Sequence, residues 1–126
     1  MVEQSERFRV QWVDTDAGGR IHFTAPFRWA ESTELALYRS IGLPSDRVGD
    51  LPRRHVEADY LRVLAFDDEI ELHLRVARVG TTSITYEWTA VKDGEPAIEG
   101  SHTVVHVDGD GRPAPLDASL RRLLSR

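Results

Sequence analysis

From Arg7 to Asp14 apolar and polar residues alternate, with Phe8, Val10 and Trp12 on one side and Arg9 and Gln11 on the other. A period of two predicts a half-buried strand. From Thr24 to about Ile41 the period lengthens: Phe27, Ala30, Leu37 and Ile41 share one face of a helix, and Glu34 falls among them. Thr24 is placed to cap this helix, Pro26 suits its first turn, and Gly42 with Pro44 stops it. A loop from Gly42 to Pro52 leads into a strand over about Arg54 to Val63. Two strands then alternate cleanly, one through Ile70, Leu72, Leu74 and Val76, the other through Ile84, Tyr86, Trp88 and Ala90. Lys92-Asp93-Gly94-Glu95 reads as a hairpin turn. A last strand over about Ala97 to Val107 and a short helix over Leu116 to Leu124 complete the chain.

A strand, a helix with one apolar stripe, and four strands in antiparallel succession predict an α+β domain in which the sheet wraps around the helix. No repeat or linker divides residues 1–126, and their number suits one core rather than two. Strands of about ten residues leave long edges that are commonly paired, so at least a dimer is expected. The absence of cysteine removes disulfides, thiolate metal sites and cysteine nucleophiles. A net charge of −5 argues against a broad nucleic-acid surface or a basic membrane-seeking face. No apolar run approaches the roughly 20 residues that span a bilayer, and the first residues lack the basic-then-apolar order of a signal peptide. A cytoplasmic protein is expected.

Chemistry concentrates where the first strand meets the helix, in Asp14-Thr15-Asp16-Ala17-Gly18-Gly19-Arg20-Ile21-His22-Phe23. On its own letters Asp16 reads first as a turn-forming aspartate, because aspartate bonds to the backbone two residues on. The same residues, followed by a helix carrying Phe27-Arg28-Trp29-Ala30-Glu31, resemble the hotdog-fold acyl-CoA thioesterases of the 4-hydroxybenzoyl-CoA thioesterase type. Phe66-Asp67-Asp68-Glu69-Ile70 is similar to that family's Asp-Asp-x-Leu strand entry, and Gly80-Thr81-Thr82-Ser83 to its Gly-x-x-Ser crossing.

The resemblance implies a hotdog fold and hydrolysis of an acyl-CoA or acyl-carrier-protein thioester to a free acid and a thiol, without cofactor or metal. Asp16 matches the catalytic carboxylate, which attacks the carbonyl or activates water. Phe23 matches the residue whose backbone N–H, at the helix start, stabilises the oxyanion. His22 lies one position before the histidine of one branch of these enzymes and is the third candidate. Gly19, Phe27, Glu34, Tyr60 and Arg78 are the candidates for substrate contact. Phe27, Trp29, Tyr60 and the Gly42–Pro52 loop would bound the acyl group, and Arg78 would meet the coenzyme A phosphates. For Glu34 the structural reading is preferred, as a partner of Arg28, Tyr38 or a residue of a second subunit. The family's clefts between subunits imply a homodimer or homotetramer.

Two other functions compete. A non-catalytic module would bind an acyl or aromatic ligand and tolerate Asp16 exposed or tied into its turn, whereas an enzyme needs Asp16 facing a cavity. A hydroxyacyl dehydratase would pair His22 with Glu34 or Glu31 and leave Asp16 idle. His102 and His106 share a strand face, with no convergent ligand set for a metal.

Overall fold

A computed structural model describes residues 1–126. The elements are β1 (Glu3–Arg9), α1 (Ala25–Ile41), β2 (Arg53–Tyr60), β3 (Glu69–Val79), β4 (Ser83–Lys92), β5 (Glu95–Val105) and α2 (Ala118–Leu124), with single 3-10 turns at Trp12–Asp14 and Ser45–Asp50. One antiparallel sheet runs in the order β1-β3-β4-β5-β2, so the strands flanking α1 in sequence form its two edges. This is the α+β, helix-wrapping arrangement expected.

Alternation sorts the sheet into two faces. Ile70, Leu72, Leu74 and Val76 of β3, Ile84, Tyr86, Trp88 and Ala90 of β4, and Ile98 and Val104 of β5 are buried in the core together with Trp29, Ala30, Leu37, Tyr38 and Ile41 of α1. The opposite face is mostly polar, with cross-strand pairs such as Arg75–Glu87 at 2.6 Å and Ser5–His73 at 2.7 Å. Gly100 lies opposite Trp88, and a Cβ there would come within 2.2 Å of the indole. The missing side chain is what lets the ring lie flat across β5. The β4–β5 hairpin turns at Asp93 (φ 52°) and Gly94 (φ 78°), two left-handed residues in succession, as a two-residue turn matched to the sheet twist requires.

The first strand differs from expectation: it ends at Arg9, and Trp12 is 72% exposed rather than in register with Phe8 and Val10. The cause is local. The Asp14 carboxylate accepts the Gln11 N–H at 2.8 Å while the Asp14 N–H donates to the Gln11 carbonyl at 2.9 Å, folding 11–14 into a single turn before pairing can continue. The helix begins and ends as read, with Gly42 in the left-handed conformation (φ 83°) at its C-terminus. Both sheet edges are open. Along β2 every residue but Ala58 is exposed, including Val56 and Tyr60 at 45% and 46%.

Candidate active site

Residues 14–23 form a small hairpin between β1 and α1. The Asp16 N–H donates to the Arg20 carbonyl at 2.7 Å and the His22 N–H to the Asp14 carbonyl at 2.7 Å, with Thr15 and Ile21 bridged between them. At the tip, Asp16 Oδ1 accepts the Gly18 N–H at 2.8 Å, and Gly19 takes a positive φ of 79°. Asp16 is therefore the turn-former its own letters suggest. The turn uses only one of its oxygens: Oδ2 has no partner in the chain, and the residue is exposed. Turn and reactive carboxylate are thus compatible roles rather than alternatives.

Asp14 anchors the base of the hairpin. It is buried, with Oδ2 on the Gln11 N–H at 2.8 Å and Oδ1 in an ion pair with Arg28 from the first turn of α1. The Ile21 N–H donates to the Leu64 carbonyl at 3.0 Å, tying the hairpin to the segment between β2 and β3.

The approach to α1 satisfies its backbone groups one by one. The His22 carbonyl accepts the Ala25 N–H at 2.9 Å, the Thr24 carbonyl accepts the Phe27 N–H at 3.1 Å, and Pro26 has no N–H. The expected Thr24 cap does not form, because its hydroxyl bonds His22 Nδ1 at 2.7 Å, and the Thr24 N–H donates to the same nitrogen at 3.2 Å. His22 thus braces the helix entry. The Phe23 carbonyl accepts the Tyr60 hydroxyl. The Phe23 N–H has no acceptor in the chain and lies beside the positive end of the helix dipole.

The remaining candidates scatter. Phe27 is half-buried and meets Trp88 edge-on at 5.9 Å, and Trp29 is buried against Phe8. The Gly42–Pro52 loop closes the C-terminal end of the 17-residue helix, about 25 Å from its start, so within one chain it does not border Asp16. Arg78 ends β3 at the opposite end of the strand from Asp68, which bonds Val10 beside the hairpin, and it makes no ion pair. Nine residues of strand, roughly 30 Å, separate it from the site, so one chain does not offer Arg78 to a thioester at Asp16. Five grooves of the chain, of about 230 to 730 Å³, are lined by neither Asp16 nor His22 nor Phe23. The groove nearest the helix start, about 390 Å³, lies on its other side between Arg9, Asp14 and Arg28.

Glu34 lies about two and a half turns into α1, about 14 Å along the axis from Ala25, and is buried. Oε1 accepts from Arg53 Nη2 and bonds His102 Nε2, both at 2.6 Å, and Oε2 accepts the Tyr38 hydroxyl at 2.6 Å. The Tyr38 hydroxyl in turn meets that of Tyr86 at 2.7 Å, and Tyr86 stacks on His102 at 5.0 Å. Burial alone would raise the Glu34 pKa, but His102, Arg53 and Tyr38 together outweigh it and hold the carboxyl below its usual value. Burial, together with neighbouring Glu34, pushes both phenols up. Both oxygens of Glu34, a candidate for substrate contact, are thus engaged inside the folded chain. Of its expected partners, Tyr38 is found, while Arg28 is engaged by Asp14. Within the chain His22 pairs with neither Glu34 nor Glu31, the two partners the dehydratase reading offered: His22 bonds Thr24, Glu34 bonds His102, and Glu31 lies 3.7 Å from Arg53. Sequence reasoning missed His102 and Arg53 here. The shared parity of His102 with Ile98 and Val104 is the signal that it faces inward. His106 lies beyond the end of β5, its Nδ1 3.0 Å from the Ala114 carbonyl.

Residues 10–124 match the thioesterase-like superfamily. The chain belongs to that family and at that level is a thioester hydrolase. It is 30% identical over 91 residues to a putative esterase of Aquifex aeolicus, covering 69% of this chain and 71% of that one. It is 28% identical over 110 residues to the 1,4-dihydroxy-2-naphthoyl-CoA hydrolase of Prochlorococcus marinus, covering 78% and 70%. In three dimensions it is similar to a thioesterase of Thermus thermophilus crystallised with coenzyme A and zinc, with a TM-score of 0.89, 26% identity and 98% of each chain covered. The fold is that of the hotdog thioesterases.

Proposed function

We propose that this protein hydrolyses an aromatic acyl-CoA, with Asp16 supplying the attacking oxygen or the base for water and the Phe23 N–H receiving the developing oxyanion. The observation that carries the reading is the pairing, on one short hairpin, of a carboxylate oxygen with no partner and a backbone donor with no acceptor. A thioester carbonyl needs little more, since it is already electrophilic and a thiolate leaves readily. Two features favour an aromatic acyl group. One is the naphthoyl-CoA hydrolase among the relatives. The other is the exposed apolar surface around the hairpin, where Trp12 meets Phe66 edge-on at 5.7 Å and Phe23, Tyr60, Leu61 and Val63 are exposed nearby.

In the single chain Asp16 lines none of those five grooves. We infer that a second copy supplies the missing wall. The edge of β2 is unpaired along its length, and its exposed Val56 and Tyr60 continue into Leu61 and Val63, so pairing of two β2 edges would bury apolar surface and close the hairpin into a cleft. The test is thiol release from a panel of short, long and aromatic acyl-CoAs, combined with sedimentation at micromolar concentration. The expected result is preferential turnover of aromatic thioesters by a dimer. Failure to release thiol from any member of the panel would remove the reading, and a purely monomeric active enzyme would remove the shared cleft.

A further inference from the structure

Tyr60 was a candidate for the acyl pocket, and its hydroxyl is engaged elsewhere. It is the last residue of β2, paired with Ile98 of β5, and the two residues after it are pinned as well, the Leu61 and Arg62 N–H groups both reaching the Ala97 carbonyl at 2.8 and 3.1 Å. From that fixed base the phenol crosses to the hairpin and donates to the Phe23 carbonyl. Every other bond around Phe23 is internal to the hairpin and helix entry: Asp14 to His22, His22 to Thr24, His22 to Ala25. The Tyr60 hydroxyl is the one hydrogen bond that ties Phe23 itself to the sheet.

We propose that Tyr60 is a positioning residue, whose hydroxyl fixes the Phe23 backbone so that its unpaired N–H points at the substrate carbonyl oxygen. The inference rests on the reading of that N–H as the oxyanion donor. A residue whose N–H must stay empty until the transition state cannot be held by its own N–H, so its orientation must come from the flanking groups. The peptide before Phe23 is held at the His22 carbonyl, and the peptide after it at the Thr24 N–H and by Tyr60. Preorganisation of this kind matters because an oxyanion donor acts only when already aimed at the place where charge develops. Burial raises the Tyr60 pKa above its usual 10, which keeps the phenol a donor throughout the neutral range.

Tyr60→Phe removes the hydroxyl and keeps the ring. On an aromatic acyl-CoA turned over by the parent, kcat is expected to fall about tenfold to a hundredfold, the scale of a misplaced catalytic group, with KM and melting temperature close to the parent's. A ring that merely touched substrate would act on KM, and one that merely supported the fold would lower the melting temperature with little effect on kcat. In parallel, the backbone order parameter of the Phe23 amide, measured by ¹⁵N relaxation without any substrate, should drop from about 0.85 towards 0.6. Unchanged kcat, a loss confined to KM, or an unaltered order parameter would each overturn the assignment. Asp16→Asn run alongside separates the two readings. If that variant is inactive while Tyr60→Phe is normal, the positioning role falls and the thioesterase reading stands. If no acyl-CoA is a substrate, the parent reading falls and the relaxation measurement still decides whether Tyr60 orders Phe23.

Discussion

Two carboxylates near α1 are treated in opposite ways. Asp16, just before the helix, is exposed and spends one oxygen on its own turn, leaving the other free. Glu34, midway along the helix, is buried with both oxygens occupied by Arg53, His102 and Tyr38. One charge is available and the other is consumed. Burial of a carboxylate is therefore no guide to reactivity in this fold: the buried one is locked by donors that hold its proton off, and the open one retains a lone pair with nothing to do in the folded chain. Substitutions at the two positions should accordingly separate rate from stability.

The largest effect is expected from Asp16→Asn. Asparagine keeps the size, the turn propensity and an oxygen for the Gly18 N–H, but it can neither attack as an anion nor take a proton from water. Thiol release should fall by about 10² to 10⁴-fold, with an unchanged melting temperature. A variant that kept near-parental turnover would show that the free oxygen is idle and collapse the distinction between the two carboxylates.

Glu34→Gln should do the reverse. It leaves Arg53 opposite a neutral amide and presents an NH₂ where Tyr38 donates. Breaking a buried ionic contact from one side costs about 3 kcal/mol or more, equivalent to roughly 10 °C in melting temperature for a chain of this size. Per folded molecule, kcat should stay near the parent's. A stable variant with lost activity would return Glu34 to the chemistry.

The pH dependence sharpens the same contrast. The Glu34 carboxyl is held below its ordinary 4.5 in the folded protein. A depressed acid contributes stability that is fully present above the unfolded pKa and lost as pH falls through the folded one. The difference in melting temperature between the parent and Glu34→Gln should therefore close progressively as pH falls below 4.5. A difference that persisted undiminished at pH 3 would mean that charge is not what Glu34 contributes.

How far this contrast was legible from the letters depended on distance along the chain. Elements set by local pattern were found: the alternation of β3 and β4, the Asp93-Gly94 turn, the Gly42 stop and the stripe that carries Glu34. The Asp16 turn was legible for the same reason, since its partner is two residues away. The end of β1 was misplaced because Phe8, Val10 and Trp12 keep a strand period while Asp14 folds the backbone beneath them. The Glu34 network was legible only in part. Glu34 on an apolar stripe announces a buried charge, but His102 lies 68 residues further on and Arg53 on the far edge strand, and nothing local ties them together. The Tyr60 contact to Phe23 is of the same kind, made across 37 residues by the ends of two elements. Family resemblance supplied what periodicity could not, the proposed role of the Phe23 N–H, and the structure adds that this donor has no acceptor in the chain.

The smallest effect is the one that tests the contrast most closely, because it lies two residues from Asp16. Asp14 belongs with Glu34 rather than with its neighbour: it is buried, accepts the Gln11 N–H and pairs with Arg28. Asp14→Asn is thus not a silent control. Asparagine has one accepting oxygen for two donors, so either the Gln11 N–H or the Arg28 guanidinium loses its partner, at a cost of about 1 to 2 kcal/mol. The melting temperature should fall by a few degrees, and kcat should stay within about threefold of the parent's, since no step of the chemistry needs the Asp14 charge. Together with Asp16→Asn this predicts a crossed pattern, rate lost without stability at one position and stability lost without rate at the other. If Asp14→Asn instead kept its melting temperature and lost turnover as deeply as Asp16→Asn, the reactive carboxylate would be the one at the base of the hairpin, with Arg28 as its charge partner, and the exposed tip would be only a turn.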